Sequence, residues 1–319
     1  MSAGGRRSPR LPGGGRLVGR SVFLSASVPH PDRSQRYRAV VGLGGGGASG
    51  ARPRAEGDTR APTDAQVEIE HAVVSLARAV FAEGGRLVFG GHPSIAPLVA
   101  MVAGEYLPPE EAEGSRGRNA DVPRMSDMPR DPWRSRGNAP VLVHQLEAYS
   151  NAIPDATADM VRLGQAQIRW HGVEPHERDV AWDPKSPAYP ESLRRMRAEM
   201  LRDPSVIAMV CIGGMEGVEE EARMFLEFHR DRPLFVVART GGAAAVLADE
   251  QSARVRLLQE RLGTGTSPEI RIIDDEVVGD LRLRLRRDDN EWEDAPLRYL
   301  PYPLIMQTIV RDLVERDQG

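Results

Sequence analysis

The 319 residues include 42 basic and 46 acidic side chains, for a net charge of −4, and 40% of the chain is apolar. That is enough for one large domain or two small ones, and the near balance of charge gives no reason to expect nucleic acid or a membrane surface as partner. Cys211 is the only cysteine, so an intrachain disulfide and a multi-cysteine metal site are both excluded. Lys185 is the only lysine, and the other basic residues are arginine, which reads as compositional bias and not as an anion site. No segment approaches the ~20 continuous apolar residues of a membrane span, and no apolar stretch follows the arginines before position 20 as a secretory signal requires. A cytoplasmic location is the expectation.

Residues 1–20 are Gly-, Arg-, Pro- and Ser-rich and predict a disordered basic tail. Ser21–Val28 (SVFLSASV) reads as a buried first strand, and residues 29–63 as a long glycine- and proline-bearing loop. Val67, His71, Val74, Ala77 and Phe81 recur at helical spacing, which predicts a helix over 64–83 after a Thr63–Asp64 cap. Arg86–Phe89 is a second strand, leading into a helix near 94–104. Residues 105–138 are charged, with no periodicity, and read as an insertion or lid. Val141–His144 and Gln167–Trp170 are further strands around a helix near 155–164. Pro190–Leu201 is a helix, and Val206–Ile212 (VIAMVCI), the most apolar run, is the expected central strand. Gly217–His229 is helical, Leu234–Val237 a strand, and Gly241–Asp249 starts another helix. Residues 250–295 give no clear pattern, and Tyr302–Val314 closes the chain as a helix.

Strands alternating with helices of this length imply an α/β, Rossmann-like fold: a mainly parallel sheet with helices on both faces. The expected organisation is one domain over 21–319, with insertions at 29–63 and 105–138. Ligands of such sheets bind beyond the carboxyl ends of the strands.

Paired glycines follow three of the strands: Gly90-Gly91-His92-Pro93, Gly213-Gly214-Met215-Glu216-Gly217 and Thr240-Gly241-Gly242. Glycine lets backbone N–H groups crowd around an anion, and the next helix adds its unpaired N–H groups. Phosphate or a ribose phosphate is the natural guest. Neither G-x-G-x-x-G after a strand nor G-x-x-x-x-G-K-[ST] is present, which argues against an ordinary dehydrogenase or P-loop NTPase.

Residues 189–221 (YPESLRRMRAEMLRDPSVIAMVCIGGMEGVEEE) resemble the signature of the lysine-decarboxylase-like phosphoribohydrolases of the SLOG superfamily: an arginine-bearing helix, a buried strand, then P-G-G-x-G-T-x-x-E. Phe23–Ser27, Gly90–Pro93 and Gly213–Gly217 make the chain more similar to the sensor-type members. The resemblance covers roughly residues 21–250 and the final helix. It implies an NAD-derived or related nucleotide ligand, with Arg197 in the place of the family's functional arginine and Glu221 in that of its glutamate. Ile212 replaces the proline, an extra residue lengthens Gly214–Gly217, and Val218 replaces the threonine. Those departures predict a displaced glutamate.

Ser25 and Ser27 alternate on the first strand, at the expected site. The Glu219–Glu221 run either compensates a helix dipole or accepts hydrogen bonds from ribose hydroxyls. His92 either orients its turn or touches ligand. Trp170 and Trp182 are aromatic candidates, with core packing the default for Trp170. His144, His171 and His176 lack metal-ligand spacing on a helix, so no metal and no cofactor beyond a nucleotide ligand is expected.

Three readings follow. The first is a nucleotide-binding sensor or regulatory domain for a bacterial defence or stress signal. It would bind a small nucleotide over Ser25, Ser27, Gly90, Gly91, His92, Arg197, Gly213, Gly214, Met215, Glu216, Gly217, Glu221, Thr240, Gly241 and Gly242, and act through a separate effector protein. The second is a nucleotide N-glycosidase with Glu221 and Arg197 catalytic. The third is a non-catalytic scaffold for an effector. Each leaves room for a homo-oligomer.

Overall fold

The computed structural model describes residues 15–29, 37, 64–106, 139–178, 189–249, 270–273, 282–286, 292–296 and 301–318. The expected insertions 29–63 and 105–138 lie almost wholly outside the described residues, as do Trp182 and residues 1–14 of the expected tail.

β1 (Ser21–Ser27) is followed by α1 (Asp64–Ala82), β2 (Arg86–Phe89), α2 (Ala96–Glu105), β3 (Val141–Leu146), α3 (Asp155–Arg162) and β4 (Ala166–His171). α4 (Pro190–Leu201) then leads to β5 (Val206–Gly213), α5 (Glu216–Phe228), β6 (Leu234–Val237) and α6 (242–249). β7 (Ile270–Ile273), a hairpin of β8 (Arg282–Arg286) and β9 (Trp292–Pro296), and α7 (Tyr302–Gln318) complete the order.

Seven strands form one sheet in the order β4-β3-β2-β1-β5-β6-β7, and every pairing is parallel. β1 sits at the centre because the chain winds outward twice. From β1 to β4 each strand is laid beside its predecessor; α4 then carries the chain back so that β5 pairs with the other edge of β1.

Alternation along each strand sends side chains to two faces, and both faces are covered, which is why the strands read as continuous apolar runs. Val22, Leu24, Leu87, Phe89, Val141, Val210 and Ile212 pack with α1, α2, α3 and α7. Phe23, Val88, Leu142, Met209, Cys211 and Val236 pack with α4, α5 and α6. Cys211 is a free, buried thiol in the second core.

The tail ends earlier than expected. From Gly15 the chain is built into the domain: Leu17 is fully buried, Arg16 pairs with Glu83 at 2.8 Å, and Arg20 pairs with Asp317 at 2.8 Å. The apolar side chain of Leu17 among the arginines was the signal for this. Trp170, expected in the core, is only half-buried because β4 is a sheet edge. Among the described residues no helix is long and apolar enough to cross a membrane.

Candidate functional site

The strand order reverses between β1 and β5, and in doubly wound sheets the crevice outside the carboxyl ends at such a point is where ligands lie. Ser27, the last residue of β1, stands in register with Gly213, the last of β5. Phe89 ends β2, the other neighbour of β1, so Gly90-Gly91 and Gly213-Gly214 both follow the carboxyl ends of strands that flank β1, with β2 ending level with Leu24, three residues before the Ser27–Gly213 pair.

The second and third glycine turns interlock. Gly213 N–H donates to Thr240 Oγ1 at 2.7 Å, and Thr240 Oγ1 donates to the Val237 carbonyl at 2.6 Å. Gly214 N–H donates to the Ser27 carbonyl at 2.8 Å, and the Gly214 carbonyl accepts from Ala243 N–H at 2.9 Å. The amides of Gly213 and Gly214 are therefore committed inside the protein. An anion here has to meet the first turn of α5, from Met215 to Gly217, and not those two glycines. Gly214 has φ +86, and a Cβ there would stand 2.2 Å from Val218 Cγ2. Its role is to let β5 turn into α5 at all, so a β-branched residue at this position would damage the fold as well as any backbone approach.

The first turn is looser. His92 is exposed, and its Nδ1 lies 2.8 Å from Ser94 Oγ. Ser94 Oγ also accepts from Val28 N–H at 3.1 Å, joining this turn to the end of β1.

Below the crevice, on the α4–α5–α6 face, lies a cluster of charge. Ser25 Oγ donates to Glu221 Oε2 at 2.5 Å, and Arg197 Nε lies 3.3 Å from Glu221 Oε1. Arg197 also pairs with Glu220. Only 14% of the Glu221 side chain is exposed, and burial pushes its carboxyl above the usual range, against the pull of Arg197 and of the Ser25 hydrogen bond. Gly217 lies where a Cβ would stand 2.9 Å from Arg197 Nη2, so the guanidinium reaches across the first turn of α5. The lengthened Gly214–Gly217 connection has not carried Glu221 away from Arg197.

The three adjacent glutamates divide their work. Glu219 is buried, accepts from the Tyr37 hydroxyl at 2.7 Å and pairs with Arg223 at 3.2 Å; Glu220 and Glu221 share Arg197. Glu216 is exposed at the start of the helix, while Met215 is half-buried. Arg194 and Arg195 are exposed.

α4 carries Arg197 to this point for local reasons. Pro190 suits the first helical position, where no N–H is needed. Glu177 caps the helix from outside, accepting from the backbone N–H of Glu191 at 2.8 Å and of Ser192 at 2.9 Å. Ser192, Met196 and Met200 bury one stripe, which leaves Arg197 facing α5.

The arginine of α4, the buried strand β5 and the glutamate of α5 are thus one spatial unit as well as one stretch of sequence. Residues 185–262 match the SLOG cluster3 family. The matched segment holds Arg197, Glu221 and two of the three glycine turns. Ser25 and Ser27 are brought beside it by β1, and Gly90–His92 follow β2 on the far side of β1. No curated protein matches the chain. A solved X-ray structure of TM1055, a structural genomics target, aligns over 72% of this chain and 81% of its own, at 11% identity and a TM-score of 0.33.

One cluster escaped sequence reasoning. His144, wholly buried on β3, and His171, buried at the end of β4, stack with ring centroids 5.0 Å apart, Nδ1 of the first 2.8 Å from Nε2 of the second. His171 Nδ1 continues to Glu199 Oε2 at 3.1 Å. Only the β3–β4 register brings these two histidines together. Among the described residues no group of three or more His, Cys, Asp or Glu is placed to hold a metal. Cavities of about 500 and 410 Å3 open between α1 and α7, away from the Glu221 cluster.

Proposed function

We propose that the chain is a nucleotide-binding sensor or regulatory domain, responding to an NAD-derived or related nucleotide in bacterial defence or stress and passing the signal to a separate effector protein. The observation that carries this reading is the Glu221 carboxylate, fixed by Ser25 and Arg197 at the carboxyl edge of β1 and β5. An oriented carboxylate is an acceptor for ribose hydroxyls. Phosphate is disfavoured beside Glu220 and Glu221, because Arg197 is already matched by both. It belongs instead at the start of α5 and the Gly90–His92 turn, with the sugar toward the carboxylates.

A second reading has an observation of its own. A carboxyl raised by burial and held against an arginine suits general acid–base chemistry, so a nucleotide N-glycosidase using Glu221 is the alternative. Glu221 would activate water or steady an oxocarbenium-like ribose, and Arg197 would hold the carboxylate in place.

One experiment separates the two. AMP, NAD and cyclic ADP-ribose are incubated for long periods with the purified protein, and the free bases are separated by chromatography. The sensor reading expects binding without base release. Multiple turnovers, abolished in Glu221→Gln, would establish the glycosidase.

A further inference from the structure

Two tyrosines border the charged cluster, and neither the glycine turns nor the carboxylates account for them. Tyr149 lies on the 3-10 turn Glu147–Ala152, which continues β3 beyond the carboxyl edge of the sheet. Tyr189 immediately precedes α4. Their rings meet edge to face, with centroids 5.8 Å apart and planes at 70°. Both are half-buried against the core of the α4–α6 face. The positive charge of Arg197 is felt at the Tyr149 hydroxyl, which burial pushes above its usual range, so the pair and the Arg197–Glu221 contact share one neighbourhood.

The backbone marks the same place. Among the described residues Tyr189 is the only non-glycine with positive φ, at 58°. Strain of this kind persists where the surrounding structure enforces it, and it concentrates at ligand clamps.

We infer that the Tyr149–Tyr189 pair is the platform on which the base of the nucleotide stacks. This rests on the nucleotide-binding reading above and deepens it: the ligand is recognised by its aromatic base as well as by its sugar. Glu221 and Ser25 anchor the ribose, the rings take the base, and purines, with the larger flat surface, are held more tightly than pyrimidines.

The test is isothermal titration calorimetry with AMP, GMP, CMP, UMP, NAD and ribose 5-phosphate, the last having no base. The unaltered protein is expected to bind AMP about tenfold or more tightly than ribose 5-phosphate, as stacking on an aromatic side chain gives. Tyr149→Leu, which keeps apolar bulk, and Tyr189→Asn, which tolerates the left-handed backbone, are expected to reduce that ratio to near one. Tyr149→Phe is expected to keep it. Equal affinities for AMP and ribose 5-phosphate in the unaltered protein would overturn the platform and leave nucleotide binding standing. A preference for AMP that survives in both Tyr149→Leu and Tyr189→Asn would also overturn it. If none of the five nucleotides binds, the nucleotide reading itself falls and takes the platform with it.

Discussion

Helix α4 holds Arg197 against one buried cluster and Glu199, two residues later, against another, and the two clusters accommodate buried titratable groups in opposite ways. Glu221 keeps a cation at 3.3 Å and a hydroxyl donor at 2.5 Å. His144 has another imidazole as partner, and burial, reinforced by His171 and Arg169, pushes it down to about 3. Burial lowers His171 as well, against the pull of Glu199. The first cluster sets a carboxyl against a guanidinium and a hydroxyl, the second an imidazole against another imidazole. Perturbed groups beside a crevice suggest ligand chemistry, whereas a perturbed pair locked between strands and a helix bears on stability.

The comparison breaks most visibly with acid. A buried histidine with a depressed value in the folded state contributes its full stability above the unfolded value of about 6.5, and that stability is lost as pH falls toward the folded value. Unfolding in urea is expected to show a loss of up to about 4 kcal/mol between pH 7 and pH 3 from His144, about 2 kcal/mol of it by pH 5. In His144→Leu the slope between pH 6.5 and pH 5 should flatten; an unchanged slope would assign the acid sensitivity elsewhere.

Arg197→Met should come next in size. It removes the cation from Glu220 and Glu221 together, and breaking a largely buried pair costs about 2–3 kcal/mol once the freed carboxyl takes up a proton. Urea midpoints at pH 7.5 and pH 4.5 test this, since the Glu221 carboxyl is raised by burial and the loss should be smaller at the lower pH.

Glu221→Gln probes the opposite sign. A carboxyl raised in the folded state contributes stability that is full below the unfolded value of about 4.5 and is lost as pH rises through the folded value. The substitution is therefore expected to raise the melting temperature at pH 7.5 and leave it nearly unchanged at pH 4. A fall at pH 7.5 would mean that Glu221 is held as a stabilising anion. The smallest effect belongs to the exposed Arg162–Asp159 pair at 2.8 Å, where Asp159→Asn should change stability by about 0.5 kcal/mol or less.

How much of this was legible follows from which signals are local. β2 and β6 stand where their apolar runs put them, at Arg86–Phe89 and Leu234–Val237, and β5 extends its run by one residue to Gly213. Arg197 and Glu221 were each singled out through a motif, but their contact was not; α5 begins at Glu216 and absorbs the extra residue before Gly217 in its first turn. The commitment of the Gly213 and Gly214 amides was not legible, because it depends on Thr240 and Ser27 arriving from other strands. The histidine pair was hidden for the same reason. The β8–β9 hairpin could have been found, since RLRLR over 282–286 alternates with the period of a strand.

The central place of β1 has a consequence for how the protein is made. Its first partner, β2, begins at Arg86, but its second, β5, begins at Val206. A ribosome that has released the first four strands has supplied everything needed to line them up, yet the far edge of β1 still offers unpaired backbone, and Phe23, Val88 and Leu142 still lack α5 and α6 above them. Such an edge invites pairing with another nascent chain until the remaining strands emerge. Fragments ending before Val206 should therefore aggregate, and the yield of native protein should be governed by how quickly the second half of the sheet is delivered.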